Sequence, residues 1–259
     1  MSSTQDLQPW PRRPARLATA VIEELVDRIV SGDFAAGSTL PTEPALCQTF
    51  GVSRSVLREA TKALETMRLV KVQQGQGTTV LPLLNWDLVN PIVLAAVVRH
   101  DAELEVLDHL VDVRRALESQ MAGSAALRIT DAERELMDAR LADLEEQVDH
   151  PDTYSAADVA FHDSILAASG NILGRAIINT LTEEAYRSLR YIGEPTREDR
   201  ERSNVAHRQI RDAVASGDAD AARELMNTHI VEAWERRRPT KADRDRRGGH
   251  PTDRDAPSA

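Results

Sequence analysis

The spacing of apolar residues predicts a short helical region at the start of the chain. Between residues 15 and 31, apolar side chains recur every three or four positions, which is typical of a helix with one buried face. Two shorter helices are predicted next, one from 43 to 50 and one directly after Ser53, joined by a tight turn at Gly51. Thr42 and Ser53 precede these two helices and are expected to cap them.

A β-ribbon and a long helical region are predicted after this pair of helices. Residues 69–73 and 78–81 are strand candidates on either side of Gly75 and Gly77, so they would form a wing. After Pro82, every long segment has helical period. The predicted helices span roughly residues 87–99, 102–127, 131–148, 152–168, 172–191, 196–215 and 218–236.

These elements predict a mainly α protein in which an N-terminal winged helix-turn-helix is followed by an all-helical antiparallel bundle. Aromatic residues make up only 3% of the chain, so the core is expected to consist of aliphatic side chains, which suits packed helices. The expected segments are a disordered arm at 1–13, the winged helix-turn-helix domain at 14–82, the helical domain at 83–236 and a disordered tail at 237–259.

The negative charge of the chain is concentrated in its middle. Residues 1–84 hold nine Lys/Arg and eight Asp/Glu, a net charge of +1. Residues 85–235 hold fifteen and thirty, a net charge of −15, and residues 236–259 hold eight and four, a net charge of +4. Because a DNA footprint depends on local charge, we expect the N-terminal part to meet DNA. The acidic part is expected to face solvent, an effector or a second subunit.

The sequence also predicts the compartment. Cys47 is the only cysteine, so an intrachain disulfide framework is excluded, which fits a reducing environment. Met1 is followed by polar residues, and the longest apolar run, 92–98, is too short to span a bilayer. We therefore expect a soluble cytoplasmic protein without a membrane partner.

The helix after Ser53 carries residue types that the major groove of DNA accepts. Arg54 and Arg58 lie four positions apart on one helical face, and guanine offers arginine a bidentate pair of acceptors. Two arginines alone are equally typical of a solvated helix face, but the order of helix, turn, helix and glycine-containing ribbon favours DNA binding. The predicted DNA-binding residues are Ser53, Arg54, Ser55, Arg58, Gln74 and Gly75.

A candidate metal site lies in the helical region. Asp158 and His162 are four residues apart, so both side chains project from one face of a helix. His207 and His229 lie on two later helices among apolar neighbours. Three imidazoles and a carboxylate suit zinc, nickel or manganese, and a shared metal would give buried histidines the partners they need. Three separately hydrogen-bonded core histidines are the alternative.

Two further residues are candidates for effector binding. Arg114 lies close to an apolar stripe on the predicted helix 102–127. A guanidinium beside a metal would pair bidentately with a carboxylate, whereas an arginine that extends to the surface is the alternative. Asn171 follows Gly170 and is expected to cap the next helix and to support the pocket.

Several motifs resemble those of one family of bacterial transcription regulators. The segment LPTEPALCQTFGVSRSVLREATKALETMRLVKVQQGQGTTV, residues 40–80, resembles the winged helix-turn-helix of GntR-type regulators, whose usual pattern is LPSERELA, FGVSR, REAL, L, GLV and GxGxxV. The NWDLVNP segment at 85–91 and the helical remainder are similar to the FadR-type branch, which has a so-called FCD effector domain. The resemblance covers nearly all of residues 15–236.

The resemblance implies a homodimer that binds a short palindromic operator through the DNA-binding residues given above. It also implies that the aspartate and three histidines hold a divalent metal, zinc before nickel or manganese, and that Arg114 faces the effector cavity. The segment 83–236 would then be the effector-binding, metal-binding and dimerisation domain. Pro44 stands where the family commonly has arginine, so we expect one DNA contact of the family to be absent here.

These inferences predict a ligand-responsive transcription repressor, and not an enzyme, that is released from DNA by a small organic acid such as a sugar acid or hydroxy-carboxylate. A metal-dependent hydrolase is one alternative, because a metal with an open position activates water. No general base adjacent to the site is evident in the sequence. A constitutive DNA-binding protein is the other alternative, and it would show no effector response.

Overall fold

The computed structural model describes residues 13–192 and 195–238. The chain divides into two compact units, Met1–His100 and Asp101–Ala259. Most of the predicted arm at 1–13 and of the predicted tail at 237–259 lies outside the described residues.

From residue 13 onward, where its description begins, the first unit contains three helices, a hairpin and a fourth helix. These elements are α1 (Arg13–Val30), α2 (Glu43–Phe50), α3 (Arg54–Thr66), β1 (Val70–Gln73), β2 (Gly77–Val80) and α4 (Pro91–Arg99). Helix α3 packs against α1, α2 and β1, and Leu25, Leu57 and Leu64 are almost completely buried in this core. Burial of such leucines is the main stabilising contribution in a small helical unit.

Local chemistry explains how α2 and α3 are connected. Helix α2 ends at Gly51, whose φ of +63° is left-handed and therefore favours glycine. Helix α3 begins at Ser53, whose Oγ accepts a hydrogen bond from the backbone N–H of Val56. Thr42 occupies the predicted N-cap position of α2, but its side chain makes no capping hydrogen bond.

The hairpin β1–β2 is the predicted wing. Its strands are antiparallel, and Gln73 pairs with Gly77 at the end of the ladder. Gly75 lies in the turn with a φ of +78°, where a side chain would be strained. Thr39, in the loop before α2, bridges to Thr79 of β2 and so ties the wing to the rest of the unit.

Helix α4 begins later than the sequence predicted. It begins at Pro91 with Asn90 as N-cap, whose Oδ1 accepts the Ile92 N–H at 3.0 Å, and not at residue 87. The preceding residues contain a 3-10 turn at Leu83–Asn85. The reason is that proline disfavours helical backbone at the residue before it and suits the first turn of a helix.

The described part of the second unit contains six long helices. They are α5 (Glu105–Ala126), α6 (Asp131–Glu146), α7 (Pro151–Ala168), α8 (Ile172–Ile192), α9 (Arg197–Ser216) and α10 (Ala219–Arg237). Helix α5 packs against α7, α8, α9 and α10, and α6 packs against α7 and α9. The buried core between them contains mainly aliphatic residues around Phe161, with Met137, Leu144, Ile165, Ile210 and Met226.

Local sequence explains where α6 and α9 begin. Thr130 and Glu133 form a capping box at α6, and Thr196 and Asp199 form one at α9. Gly123 allows α10 to approach α5 closely, because a Cβ there would lie 2.9 Å from the carbonyl oxygen of Ala219. The predicted mainly α fold, with a winged helix-turn-helix before a helical bundle, is therefore confirmed.

Candidate DNA interface and metal centre

The predicted DNA-reading side chains lie on the exposed face of α3. Arg54 and Arg58 each leave 73% of the side chain exposed, while Val56, Leu57 and Ala60 on the opposite face are buried. Ser53 and Ser55 are also exposed, and their hydroxyl oxygens lie 2.9 Å apart. This face is polar, cationic and uncovered within the described unit, as binding to a groove requires.

Glu43, the first residue of α2, contacts both arginines of α3, and the sequence analysis did not identify it. Its Oε2 accepts a hydrogen bond from Arg58 Nε at 3.1 Å, and its Oε1 lies 4.0 Å from Arg54 Nε. The signal in the sequence is weak, since a glutamate in the first turn of a helix is ordinarily assigned to the helix dipole. The carboxylate therefore partly offsets the charge of both arginines.

The first turn of α2 precedes α3 in the sequence, and the wing follows it. Gln74 and Gly75 are exposed at the tip of the hairpin, where short backbone contacts are sterically open. Pro44 is exposed in the first turn of α2 and contributes no N–H donor and no charge.

The aspartate and three histidines predicted as metal ligands come together inside the second unit. Asp158 and His162 lie on α7, His207 on α9 and His229 on α10, and one ligand atom from each lies within 4.8 Å of all the others. The Nε2 atoms of the three histidines are 3.0 to 3.3 Å apart, and Asp158 Oδ1 lies 3.3 Å from His207 Nε2.

These distances fit a bound divalent cation. Ligands at about 2.0 to 2.1 Å from a tetrahedral zinc ion are separated from one another by about 3.3 Å. Where the Nε2 atoms of three neutral imidazoles meet, hydrogen bonds cannot pair all of them, because each N–H donor needs a neighbouring lone pair as acceptor. Nitrogen and carboxylate donors together suit zinc, and nickel and manganese also accept them. The described residues therefore contain a donor set that fits the predicted metal.

Glu118 contacts the ring nitrogen of His162 that faces away from the cluster, and the sequence analysis did not identify this glutamate. Its Oε2 lies 2.7 Å from His162 Nδ1, and its Oε1 accepts a hydrogen bond from Arg114 Nε at 2.7 Å. The glutamate is completely buried on α5. A carboxylate on Nδ1 places the proton there and directs the Nε2 lone pair toward the cluster, which is the usual support of a metal-bound histidine.

The protonation states agree with a metal site. Burial lowers the pKa of His207 to about 3, although the negative charge of Asp158 opposes this shift, and burial also lowers that of His229 well below its usual value. Burial alone would raise the pKa of Glu118, but the charge of Arg114 and the hydrogen bond with His162 outweigh it and lower this pKa to about 2. Both histidines are therefore neutral at pH 7 and can donate lone pairs, while Glu118 is ionised.

The cluster opens into a cavity of about 520 Å³, a volume that includes its open mouth. Arg114 lies in its wall together with Asp158, His162 and His229. Asn171 does not line this cavity; its Oδ1 accepts a hydrogen bond from the Gly174 N–H at 2.9 Å and caps the start of α8.

No helix in the described residues is both long enough and apolar enough to cross a membrane.

The fold defines a winged helix-turn-helix regulator with an all-helical second unit. The family model of the bacterial regulatory proteins of the gntR family matches residues 17–80, and that of the FCD domain matches residues 109–232. The chain belongs to the GntR family of bacterial regulatory proteins, and its second unit contains an FCD domain.

Curated relatives extend over most of the chain. The HTH-type transcriptional regulator LutR of Bacillus subtilis is 31% identical over 78% of this chain and 93% of its own length. A putative L-lactate dehydrogenase operon regulatory protein of Escherichia coli is 30% identical over 84% of each chain. The galactonate operon transcriptional repressor of Escherichia coli is 25% identical over 83% of this chain and 94% of its own length. These relatives are transcription regulators, which confirms the expectation that the chain is a regulator and not an enzyme.

A solved structure supports the same fold. Lar, described as controlling the expression of the Listeria monocytogenes agr system, superimposes with a TM-score of 0.56 over 88% of this chain and 98% of that one, at 18% identity.

Proposed function

We propose that this protein is a ligand-responsive repressor that binds a palindromic operator as a homodimer and leaves it when a small carboxylic acid binds in the second unit. The observation that carries the proposal is the cavity in which Arg114 lies beside the Asp/His cluster, in a chain whose first unit is a winged helix-turn-helix. A protein that only bound DNA would have no need of such a cavity.

In the DNA-bound state, Arg54 and Arg58 would enter the major groove and pair with guanine or phosphate. Ser53 and Ser55 would bind phosphate oxygens at the start of the recognition helix α3, where the backbone N–H groups also face outward. Gln74 and Gly75 would contact the DNA backbone from the wing. Two copies related by a two-fold axis would read the two halves of a palindrome.

In the second unit, the aspartate and three histidines would hold a divalent cation, zinc before nickel or manganese. When bound, this cation would supply positive charge and an open coordination position for an acid. Arg114 would supply a planar guanidinium fork for the same carboxylate, held in orientation by its hydrogen bond to Glu118. Asn171 would act at the periphery, by fixing the start of α8.

The acids to be tested follow from the chemistry and from the relatives. Two relatives are named for the galactonate operon and the L-lactate dehydrogenase operon, and galactonate and L-lactate are hydroxy acids with one carboxylate. A ligand releases DNA only if it binds one conformation better than the other, and typical couplings correspond to about 5- to 150-fold in affinity. We expect an effect within this range.

The test is fluorescence anisotropy with an operator duplex selected from random sequence on the zinc-loaded full chain. Galactonate, L-lactate and related acids are titrated against the complex. We expect at least one acid to weaken operator binding by about 5- to 150-fold with zinc, and no acid to do so without it. If no acid changes operator affinity in either state, the protein is a constitutive DNA-binding protein and the proposal is wrong.

Matched variants locate the effect. Arg114→Lys keeps the positive charge beside buried Glu118 but removes the planar fork, so the protein is expected to fold and the response to weaken. Arg115→Lys is the control, because Arg115 lies on the same helix with its side chain 44% exposed. A response that both variants retain in full would exclude Arg114 from acid binding.

A further inference from the structure

Three consecutive arginines in the last turn of α10 and directly after it have different surroundings. Arg236 pairs with Glu232 at 3.3 Å, and Arg238 pairs with Asp108 at 2.7 Å. Arg237 instead donates its Nε–H to the carbonyl oxygen of Ala233 at 3.0 Å. Among residues 17–183 and 195–238, whose side chains the structure describes, no carboxylate oxygen lies within 4.0 Å of the Arg237 guanidinium.

Arg237 lies in the wall of the cavity that the Asp/His cluster opens into. His229, Ala233 and Arg237 follow one another at four-residue spacing, so all three lie on the face of α10 that lines this cavity. The hydrogen bond to Ala233 turns the arginine side chain back along the helix toward His229. Ala233 is one turn, about 6 Å of helical rise, from His229. Arg237 therefore places a second cation in the wall of the cavity that the cluster opens into, on α10, which packs against the helix that carries Arg114.

With a bound divalent cation, the charged side chains of Arg114, Glu118, Asp158 and Arg237 would together leave an excess of positive charge. Glu118 offsets Arg114, with which it is hydrogen-bonded, and Asp158 would offset one charge of the cation. The second charge of the cation and the charge of Arg237 would have no counter-charge among these four residues. Cations that face a partly enclosed space are costly without a counter-charge, and a ligand with two anionic groups supplies both.

We propose that the cavity selects short-chain dianionic acids, with one carboxylate at the Arg114 end and the second on Arg237. This inference rests on the proposed function and narrows its class of effector. The hydrogen bond to Ala233 uses one of five N–H donors of the guanidinium, so a carboxylate can still be bound by others. If Arg237 only stabilised the negative end of the α10 helix dipole, its side chain would have no need to line the cavity.

The test is isothermal titration calorimetry of the zinc-loaded full chain with two matched pairs of acids. The pairs are galactarate with galactonate and L-malate with L-2-hydroxybutyrate, in which the second acid of each pair lacks one carboxylate. We expect at least one dianion to bind about tenfold to a hundredfold more tightly than its partner, as for one added charge-assisted contact. Arg237→Gln is expected to reduce this ratio to about one and leave the affinity for the monoanion nearly unchanged.

Arg236→Gln is the matched control, since Arg236 belongs to the same helical turn but pairs with Glu232. This variant is expected to keep the preference for the dianion. Arg237→Lys keeps the positive charge and is expected to keep part of the preference for the dianion. It therefore shows whether a loss of this preference in Arg237→Gln results from the missing charge or from a folding defect.

The outcomes separate this inference from the proposed function. If acids bind but no dianion is preferred, or if Arg237→Gln weakens both members of a pair equally, the inference is wrong while the proposed function stands. If neither member of either pair binds, and no other acid releases the operator, both are wrong.

Discussion

Glu118 on α5 and His162 on α7 are joined by a hydrogen bond of 2.7 Å between the carboxylate Oε2 and the imidazole Nδ1. The side chain of Glu118 is completely buried. Because the carboxylate accepts, the proton of His162 lies on Nδ1, and Nε2 presents its lone pair to His207 and His229. One side chain thus sets both the orientation and the tautomer of a proposed metal ligand.

Replacing this carboxylate is expected to weaken zinc binding. Glu118→Gln keeps a hydrogen-bond acceptor but removes the charge, and loss of such a supporting group typically reduces metal affinity by about 10- to 100-fold. Competition with a chromophoric chelator measures the change. Glu135→Gln is the control, because Glu135 is exposed on α6. Equal zinc affinity in both variants would show that Glu118 does not act on the metal site.

Replacing the proposed ligands is expected to remove zinc itself. His162→Ala and His229→Ala should each lower the zinc content measured by mass spectrometry, whereas His109→Ala should not, because His109 is exposed on α5. Zinc at 100 times its dissociation constant should also stabilise the wild-type protein by about 2.7 kcal/mol, measured as a higher melting temperature. Stoichiometric zinc in both ligand variants would refute the site.

The metal-free protein is expected to lose stability as the pH falls below about 6.5. The pKa of His207 in the folded state is about 3, below its usual value of 6.5, so the unfolded state binds the proton first. Stability from this group is therefore complete above pH 6.5 and is lost as the pH falls from 6.5 toward 3, by at most about 1.4 kcal/mol for each pH unit.

Urea unfolding of the metal-free protein at pH 7.5 and 5.5 measures this effect. His207→Gln removes the group and should reduce the difference in unfolding free energy between the two pH values. The interpretation fails if the variant and the wild type lose the same stability over this range.

Removing the carboxylate beside the recognition arginines is expected to strengthen non-specific DNA binding. Glu43 offsets Arg58 at 3.1 Å, and exposed ion pairs of this kind contribute about 0.2 to 1 kcal/mol. Glu43→Gln should therefore raise affinity for a random duplex by up to about fivefold, measured by anisotropy at fixed salt. A decrease would mean instead that Glu43 holds Arg58 in the orientation that DNA requires.

The helices and the wing could be predicted from the sequence because they depend on local patterns. The three- and four-residue spacing of apolar side chains, Gly51 and Ser53 mark α2 and α3 without reference to any distant residue. The start of α4 was wrong by four residues because Pro91 and the Asn90 cap outweigh the helical period before them.

The cluster could be predicted only in part from spacing. Asp158 and His162 share a helix face, but their meeting with His207 and His229 depends on how three helices pack. Glu118 was missed for the same reason, because Glu118 and Arg114 at four-residue spacing look like an ordinary surface ion pair. Its complete burial follows from the packing of α5 against α7 and α8, which the periodicity of α5 alone does not reveal.

The most direct test of the account is whether acid and operator affect each other's binding. Calorimetry of the zinc-loaded protein with the releasing acid is carried out with and without saturating operator duplex. The account predicts that operator weakens acid binding by the same factor, about 5- to 150-fold, by which the acid weakens operator binding. Acid affinities that are identical with and without operator would contradict it.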